Sequence, residues 1–322
     1  MINENPASVT SSTAPTKSFF SALSRYRRIL LPLVALVLLI WVLLPAVRAV
    51  TLVMNRTGRS APATSLAGIP VQEVQFHATD GVLLYGWLAV ASVHAPTIIL
   101  VHGFKGSRFE MLPYARFLYK GGYNVLLYDS RGSGASAGWG IALGAREPDD
   151  VSGAVHYLNG RTDLTEKRYG LLGISLGAGI ALMAAAREPA IAATVADSAW
   201  VDESAQIEHM GNISRAPFTL PLLPYEPALV DQLIGAHLAD SRPLAVIAQI
   251  APRAIFLIHS ADDHNATTPL SGEHQLYMAA KAPKQQWIAP SGGHVGAIKA
   301  HTAEYEQRVL SFFAHYFTNT GV

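Results

Sequence analysis

The spacing of apolar and polar positions changes twice along this chain. Ile29 to Val47 runs without a charge, and Leu33 to Leu44 is apolar on every side of a helix, not along one stripe as in an amphipathic core helix. At 1.5 Å per residue the run spans roughly the 30 Å hydrocarbon core of a bilayer, so it predicts a transmembrane helix. Lys17, Arg25, Arg27 and Arg28 precede it; Arg48, Arg56 and Arg59 follow. By a thin margin this balance favours a single-pass membrane protein with a cytoplasmic N-terminus and an extracytoplasmic body. Val47-Arg48-Ala49 is loosely like a signal-peptide cleavage site, but the run exceeds a usual signal core, which favours an uncleaved anchor. Residues 1–28, rich in Ser, Thr, Pro and Asn at their start, read as a disordered tail. Residues 48–69 carry little periodicity and read as a linker after the 29–47 anchor.

From residue 70 the pattern becomes that of strands. Val71 to Phe76 alternates, His77 to Gly81 supplies a turn, and Val82 to Val90 returns, which predicts a hairpin. Thr97 to Val101 and Asn124 to Tyr128 are continuous apolar runs, the mark of strands buried on both faces. Arg168 to Leu172, Ile191 to Ala196, Ala254 to Ile258 and Gln286 to Ala289 complete the set, with helical segments such as 113–120 and the one carrying Val151, Val155 and Leu158 between them. A hairpin followed by alternating strands and helices predicts an α/β fold: a mostly parallel eight-stranded sheet covered on both faces.

Composition narrows the chemistry. A net charge of +1 gives no sign of a nucleic-acid partner. The chain has no cysteine, which excludes disulfides, thiolate metal sites and a cysteine nucleophile. With no H-E-x-x-H, no Cys/His cluster and no G-x-x-x-x-G-K-[ST], neither a metal nor a cofactor is implied. Nothing points to an obligate protein partner.

The chemistry-bearing residues fall after strands, where parallel sheets gather function. They are His102-Gly103-Phe104-Lys105-Gly106, Asp129-Ser130-Arg131-Gly132-Ser133-Gly134-Ala135-Ser136, His259-Ser260-Ala261-Asp262-Asp263 and Ser291-Gly292-Gly293-His294. The stretch Leu171-Leu172-Gly173-Ile174-Ser175-Leu176-Gly177-Ala178-Gly179 is a short strand, G-x-S-x-G and a small-residue helix, the nucleophile-elbow pattern. Five residues alone would also fit an ordinary Gly/Ser loop; the surrounding strands favour the elbow. A serine needs a base to take its proton, and His294, after the last strand and behind two glycines, is the candidate. A carboxylate must orient that base, and Asp262 and Asp263 both end the seventh strand. Asp129 and Arg131 are expected to form a local pair bracing a glycine turn, and Glu147 and Asp150 to be first-turn acids favoured by a helix dipole.

These motifs together resemble the α/β-hydrolases, and more narrowly the serine-aminopeptidase-like group of esterase and lipase relatives, over roughly residues 70–318. The resemblance implies an α/β-hydrolase fold and the chain order Ser…Asp…His. Counting four residues from His259, it places the acid at Asp263, with Asp262 as the alternative; Ser260, where the group has a glycine, and a longer loop before Pro269 loosen that assignment. It also implies a structural His102, backbone oxyanion donors at Phe104 and Leu176, and a small helical cap formed by about 200–240. The expected function is serine hydrolysis of a carboxylic ester, a small-molecule or lipid-like substrate, through an acyl-enzyme. The alternatives are a peptidase or amidase of the same fold, acyl transfer to an acceptor other than water, or a non-catalytic membrane-anchored binding protein on this scaffold.

Overall fold

A computed structural model describes residues 16–55, 65–66, 68–210, 212–215, 218–221 and 225–318. The first part of the expected tail, 1–15, and part of the expected linker, 56–64, lie outside them.

Helix α1 (Thr16–Val53) carries the apolar run and begins inside the expected disordered tail, so 16–28 are helical. Its segment Tyr26–Val53 is long and apolar enough to cross a membrane, with a mean hydropathy of 2.9 in its most apolar 18-residue stretch; a secretion signal meets the same criterion. The helix does not stop where the charge-free run stops. Ala49 and Val53 are fully buried in the core of the body, Val53 accepts a hydrogen bond from the Ile141 N–H, and Met54 bridges Gly140. The first part of the expected linker is therefore a helical turn held by packing.

The body is an eight-stranded sheet. Its strands are β1 (Gln72–His77), β2 (Leu83–Ala89), β3 (Thr97–Val101), β4 (Asn124–Asp129), β5 (Tyr169–Ile174), β6 (Ile191–Asp197), β7 (Ala254–Ser260) and β8 (Lys284–Ala289). They lie in the order β1-β2-β4-β3-β5-β6-β7-β8. β1 and β2 pair antiparallel, as do β2 and β4, and the other pairings are parallel. The hairpin thus sits at one edge and the crossover order places β5 near the centre.

Strand β3 shows why the sheet is covered on both faces. All five of its residues are buried; Ile99 and Val101 face one core, Ile98 and Leu100 the other. Over the first face lie α3 (Glu147–Gly160) through Val151, Val155 and Leu158, and α4 (Leu176–Arg187) through Ile180 and its alanines. Over the second lie α2 (Leu112–Lys120) through Tyr114, Phe117 and Leu118, and α8 (Thr302–Thr318) through Tyr305, Val309 and Phe313. Period-two strands feeding two apolar layers leave one open end, the carboxyl ends of the strands.

Between β6 and β7 the chain forms a cap. α5 (Glu203–Met210) and α6 (Glu226–Ile234) are helical as expected, but an antiparallel pair, Asn212–Arg215 with Phe218–Pro221, lies between them. The cap is mixed, not purely helical. α7 (Leu270–Ala279) follows β7.

The elbow glycines are fixed by backbone contact. A Cβ on Gly177 would lie 2.3 Å from the Val101 carbonyl oxygen, whereas one on Gly160 meets nothing within 4 Å. Gly177→Ala should therefore lower stability by about 1–3 kcal/mol, the overpacking range. Gly160→Ala should be neutral or stabilise by about 0.5 kcal/mol. Thermal unfolding of the two variants beside the parent checks the contrast.

Candidate active site

Ser175 sits between β5 and α4 at φ 52°, ψ −121°, backbone space that a residue with a Cβ rarely occupies. Close packing imposes the turn. A Cβ on Gly173 would lie 2.1 Å from the Gly177 carbonyl oxygen, so the chain can only pass there without one. The Ser175 N–H donates to the Asp197 carbonyl at 2.8 Å. The hydroxyl is thereby presented above the strand ends.

The structure brings Ser175, His294 and Asp263 together from three separate loops. His294 Nδ1 lies 2.9 Å from Asp263 Oδ2, and its Nε2 lies 2.9 Å from Ser175 Oγ. The carboxylate can only accept, so Nδ1 carries the proton and Nε2 is left to accept from the serine hydroxyl. Thr268 Oγ1 is a second neighbour of Nδ1, at 3.1 Å. The Asp263 side chain is buried and its Oδ1 accepts from the Asn265 N–H. Asp262 does something else. It is exposed, accepts from the Gly293 N–H at 2.8 Å, and is held below the usual carboxylate range by the N–H groups of Gly293 and Gly292. It pins the histidine loop and does not touch the imidazole.

A second chain of contacts supports that loop. The Val295 N–H donates to Ser198 Oγ, Ser198 Oγ donates to Asp197 Oδ1, and the Tyr305 hydroxyl donates to Asp197 Oδ2 at 2.9 Å. Burial pushes Asp197 up to about 6 against the two hydroxyls, which favour its charged form. His259, also buried, lies 3.4 Å from Asp263 and is held below its ordinary value by burial.

Phe104 and Leu176 both line the cavity into which Ser175 opens, about 510 Å³ in volume. Leu176 is the first residue of α4, so its N–H has no partner within the helix. The Phe104 loop is braced on both sides. His102 Nε2 accepts from the Ser130 N–H at 3.0 Å, which leaves its Nδ1–H to donate to the Gly103 carbonyl. Glu110 Oε2 accepts from the Gly103 N–H at 2.9 Å.

The Asp129–Arg131 pair does not form. Asp129 accepts from the N–H groups of Arg108 and Ala135 and lies 3.6 Å from the buried Arg108 guanidinium. Arg131 instead bridges Asp80 and Asp150, each at 2.7 Å. The nearest carboxylate in sequence is already held by backbone donors, and a guanidinium fork reaches two others across the fold. Glu147 also exceeds the expected first-turn role: it accepts from the N–H groups of Ala142 and Gly144.

Several cavity residues were not foreseen, and four of them shape its walls. Glu110 joins through the loop it braces. Glu203 and Gln206, one turn apart on α5, also line the cavity, and the Gln206 amide atoms are buried with no hydrogen-bond partner among the described residues. Burial, with the charges of Glu147 and Asp202, pushes Glu203 up to about 8. The fourth, Leu52, comes from α1. The i, i+3 spacing of Glu203 and Gln206 was the available signal, but its direction depends on where the cap sits. Among the described residues no cluster of His, Asp and Glu could hold a metal ion.

Set beside known proteins, the chain matches the family model described as X-Pro dipeptidyl-peptidase (S15 family) over residues 55–287. The chain belongs to that family. It is an α/β-hydrolase and a serine hydrolase; the serine-aminopeptidase-like group stays a resemblance of motifs. Its relatives include the uncharacterized protein YqkD of Bacillus subtilis, 32% identical over 67% of this chain and 70% of that one. Another is the uncharacterized protein YfhR of Salmonella typhimurium, 28% identical over 75% and 80%. The fold is shared with the esterase Pf2001 of Pyrococcus furiosus, with a TM-score of 0.64 and 23% identity, covering 81% of this chain and 99% of that one. It is shared too with the α/β hydrolase GrgF from Penicillium, with a TM-score of 0.62 and 22% identity over 77% and 99%.

Glu203 makes a pH prediction. Its native value lies above its unfolded one, so the native state holds the extra proton, and the destabilisation is absent below about 4.5 and complete above about 8. Unfolding free energy should fall as pH rises through that window. In Glu203→Gln the fall should be shallower by roughly 1 kcal/mol per pH unit, read from urea unfolding across the window.

Proposed function

We propose that this family member hydrolyses carboxylic esters through an acyl-enzyme, with Ser175 as nucleophile, His294 as general base and then acid, and Asp263 as the carboxylate that orients it. The observation that carries the reading is the unbroken line Asp263–His294–Ser175, with both links at 2.9 Å, ending on a strained serine in a cavity. In the first half-reaction His294 Nε2 takes the hydroxyl proton, Ser175 Oγ bonds to the acyl carbon, and the charge on the carbonyl oxygen is met by the N–H groups of Phe104 and Leu176. His294 then protonates the departing alcohol. Water, deprotonated by the same nitrogen, releases the acid. Asp263 stabilises the imidazolium that forms in each half. Each oxyanion donor is worth about 3 kcal/mol of barrier in enzymes of this kind.

A specific observation favours a second reading. Glu110, Glu203 and Gln206 put acceptors into the cavity, where a substrate ammonium or amide N–H would find them, and the family name is that of a peptidase. Against it stands the proton that Glu203 holds at neutral pH. The ester reading is preferred, and α1 is proposed as an uncleaved membrane anchor, since cleavage near Ala49 would strip Ala49 from the core.

A fluorophosphonate probe should label the parent and not Ser175→Ala, with circular dichroism unchanged. Asp263→Asn should lower kcat by about 10⁴, the scale of a wrong-tautomer histidine. Asp262→Asn should change it far less. Acyl p-nitrophenyl esters should be turned over faster than X-Pro anilides; the reverse order would favour the peptidase reading.

A further inference from the structure

The end of α1 is a wall of the active-site cavity. Leu52 lines it together with Ser175, Leu176 and Phe104. A second cavity of about 310 Å³ lies beside it and shares Leu52 and Phe104. Its remaining lining comes from α1 (Arg48 and Thr51), from Lys105 and from the cap (Ile207 and Glu226). Two residues therefore stand between the nucleophile's chamber and a side chamber built against the helix.

That helix is fixed to the body, not tethered to it. Arg48 Nε lies 3.2 Å from the buried Glu226 carboxylate. Lys105 Nζ donates to the Thr51 carbonyl, and the Tyr225 hydroxyl donates to the Trp41 carbonyl while the two rings meet edge to face. Ala49 and Val53 are fully buried. From Tyr26 to Leu44, in contrast, every residue is exposed. So long an apolar surface needs a lipid environment. From Leu44 to Leu52 is about two turns, roughly 12 Å. The side chamber thus lies at the level where lipid head groups begin, and its wall carries Lys105 beside the Arg48–Glu226 pair.

We propose that the substrate is a bilayer-resident acyl ester, which enters along α1 through the side chamber and passes its ester between Leu52 and Phe104 to Ser175. This deepens the proposed ester hydrolysis and rests on it and on the anchor. Water adds across the acyl–oxygen bond, the hydroxyl to the acyl carbon and the proton to the lipid alcohol. The acid and alcohol remain at the membrane surface.

The test uses the full chain reconstituted into phosphatidylcholine vesicles, with methylumbelliferyl oleate as the bilayer-resident ester and p-nitrophenyl butyrate as the water-soluble one. With oleate ester in the same vesicles, hydrolysis should follow its mole fraction in the bilayer and not its bulk concentration. When it is supplied in separate, protein-free vesicles the rate should fall at least tenfold. Leu52→Trp, checked for folding by fluorophosphonate labelling, should lower the ratio of oleate to butyrate kcat/KM at least tenfold. Equal rates from the two vesicle arrangements, an unchanged ratio in Leu52→Trp, or turnover of butyrate alone would each overturn the route while leaving ester hydrolysis standing. Absence of both turnover and labelling would overturn ester hydrolysis itself, and the route with it.

Discussion

The site depends on one unfavourable backbone conformation. Ser175 holds a positive φ because β5 must turn into α4 within a single residue, and the glycines at 173 and 177 allow the surrounding backbones to close on that turn. Strain of this kind, on the order of 1–3 kcal/mol, persists only where its surroundings over-determine it. Here they do. β5 lies between β3 and β6, buried along its whole length, and the Ser175 N–H is held by Asp197. Both the exposure of the hydroxyl and the direction of the α4 N-terminus follow from it.

Around that turn the protein places neutral and charged groups by solvation. Asp263 is buried but faces an imidazole and a backbone donor, while its neighbour Asp262 is exposed and binds only backbone. Two adjacent carboxylates end in different roles because one points under the histidine and the other under the glycines before it. On the cap, Glu203 has no such partner, and burial keeps it protonated. The cavity therefore presents one organised polar line and, on the cap, a second polar wall at Glu203 and Gln206.

What could be read from the sequence is what local sterics dictate. The eight strands, the elbow and the histidine loop follow from alternating or continuous apolar runs and from glycine spacing, which act within a few residues. Arg131 could not be read in the same way: its partners are Asp80 and Asp150, far apart in sequence, and the adjacent Asp129 is occupied by backbone N–H groups. The turn at 48–53 was legible in part. Ala49, Leu52 and Val53 continue a helical spacing, but only contact with Ile141 and Glu226 tells a packed turn from a linker. The antiparallel pair in the cap lies among prolines and leucines that carry no clear period.

Strand β6 carries a consequence for motion. Its last residue, Asp197, holds the Ser175 backbone through its carbonyl and, through Ser198, the backbone next to the imidazole. The serine and the imidazole loop therefore hang from one strand end. Thermal displacement of that strand end carries them together, so their separation changes less than the position of either. A displacement of the cap would then leave the 2.9 Å between His294 Nε2 and Ser175 Oγ as it stands.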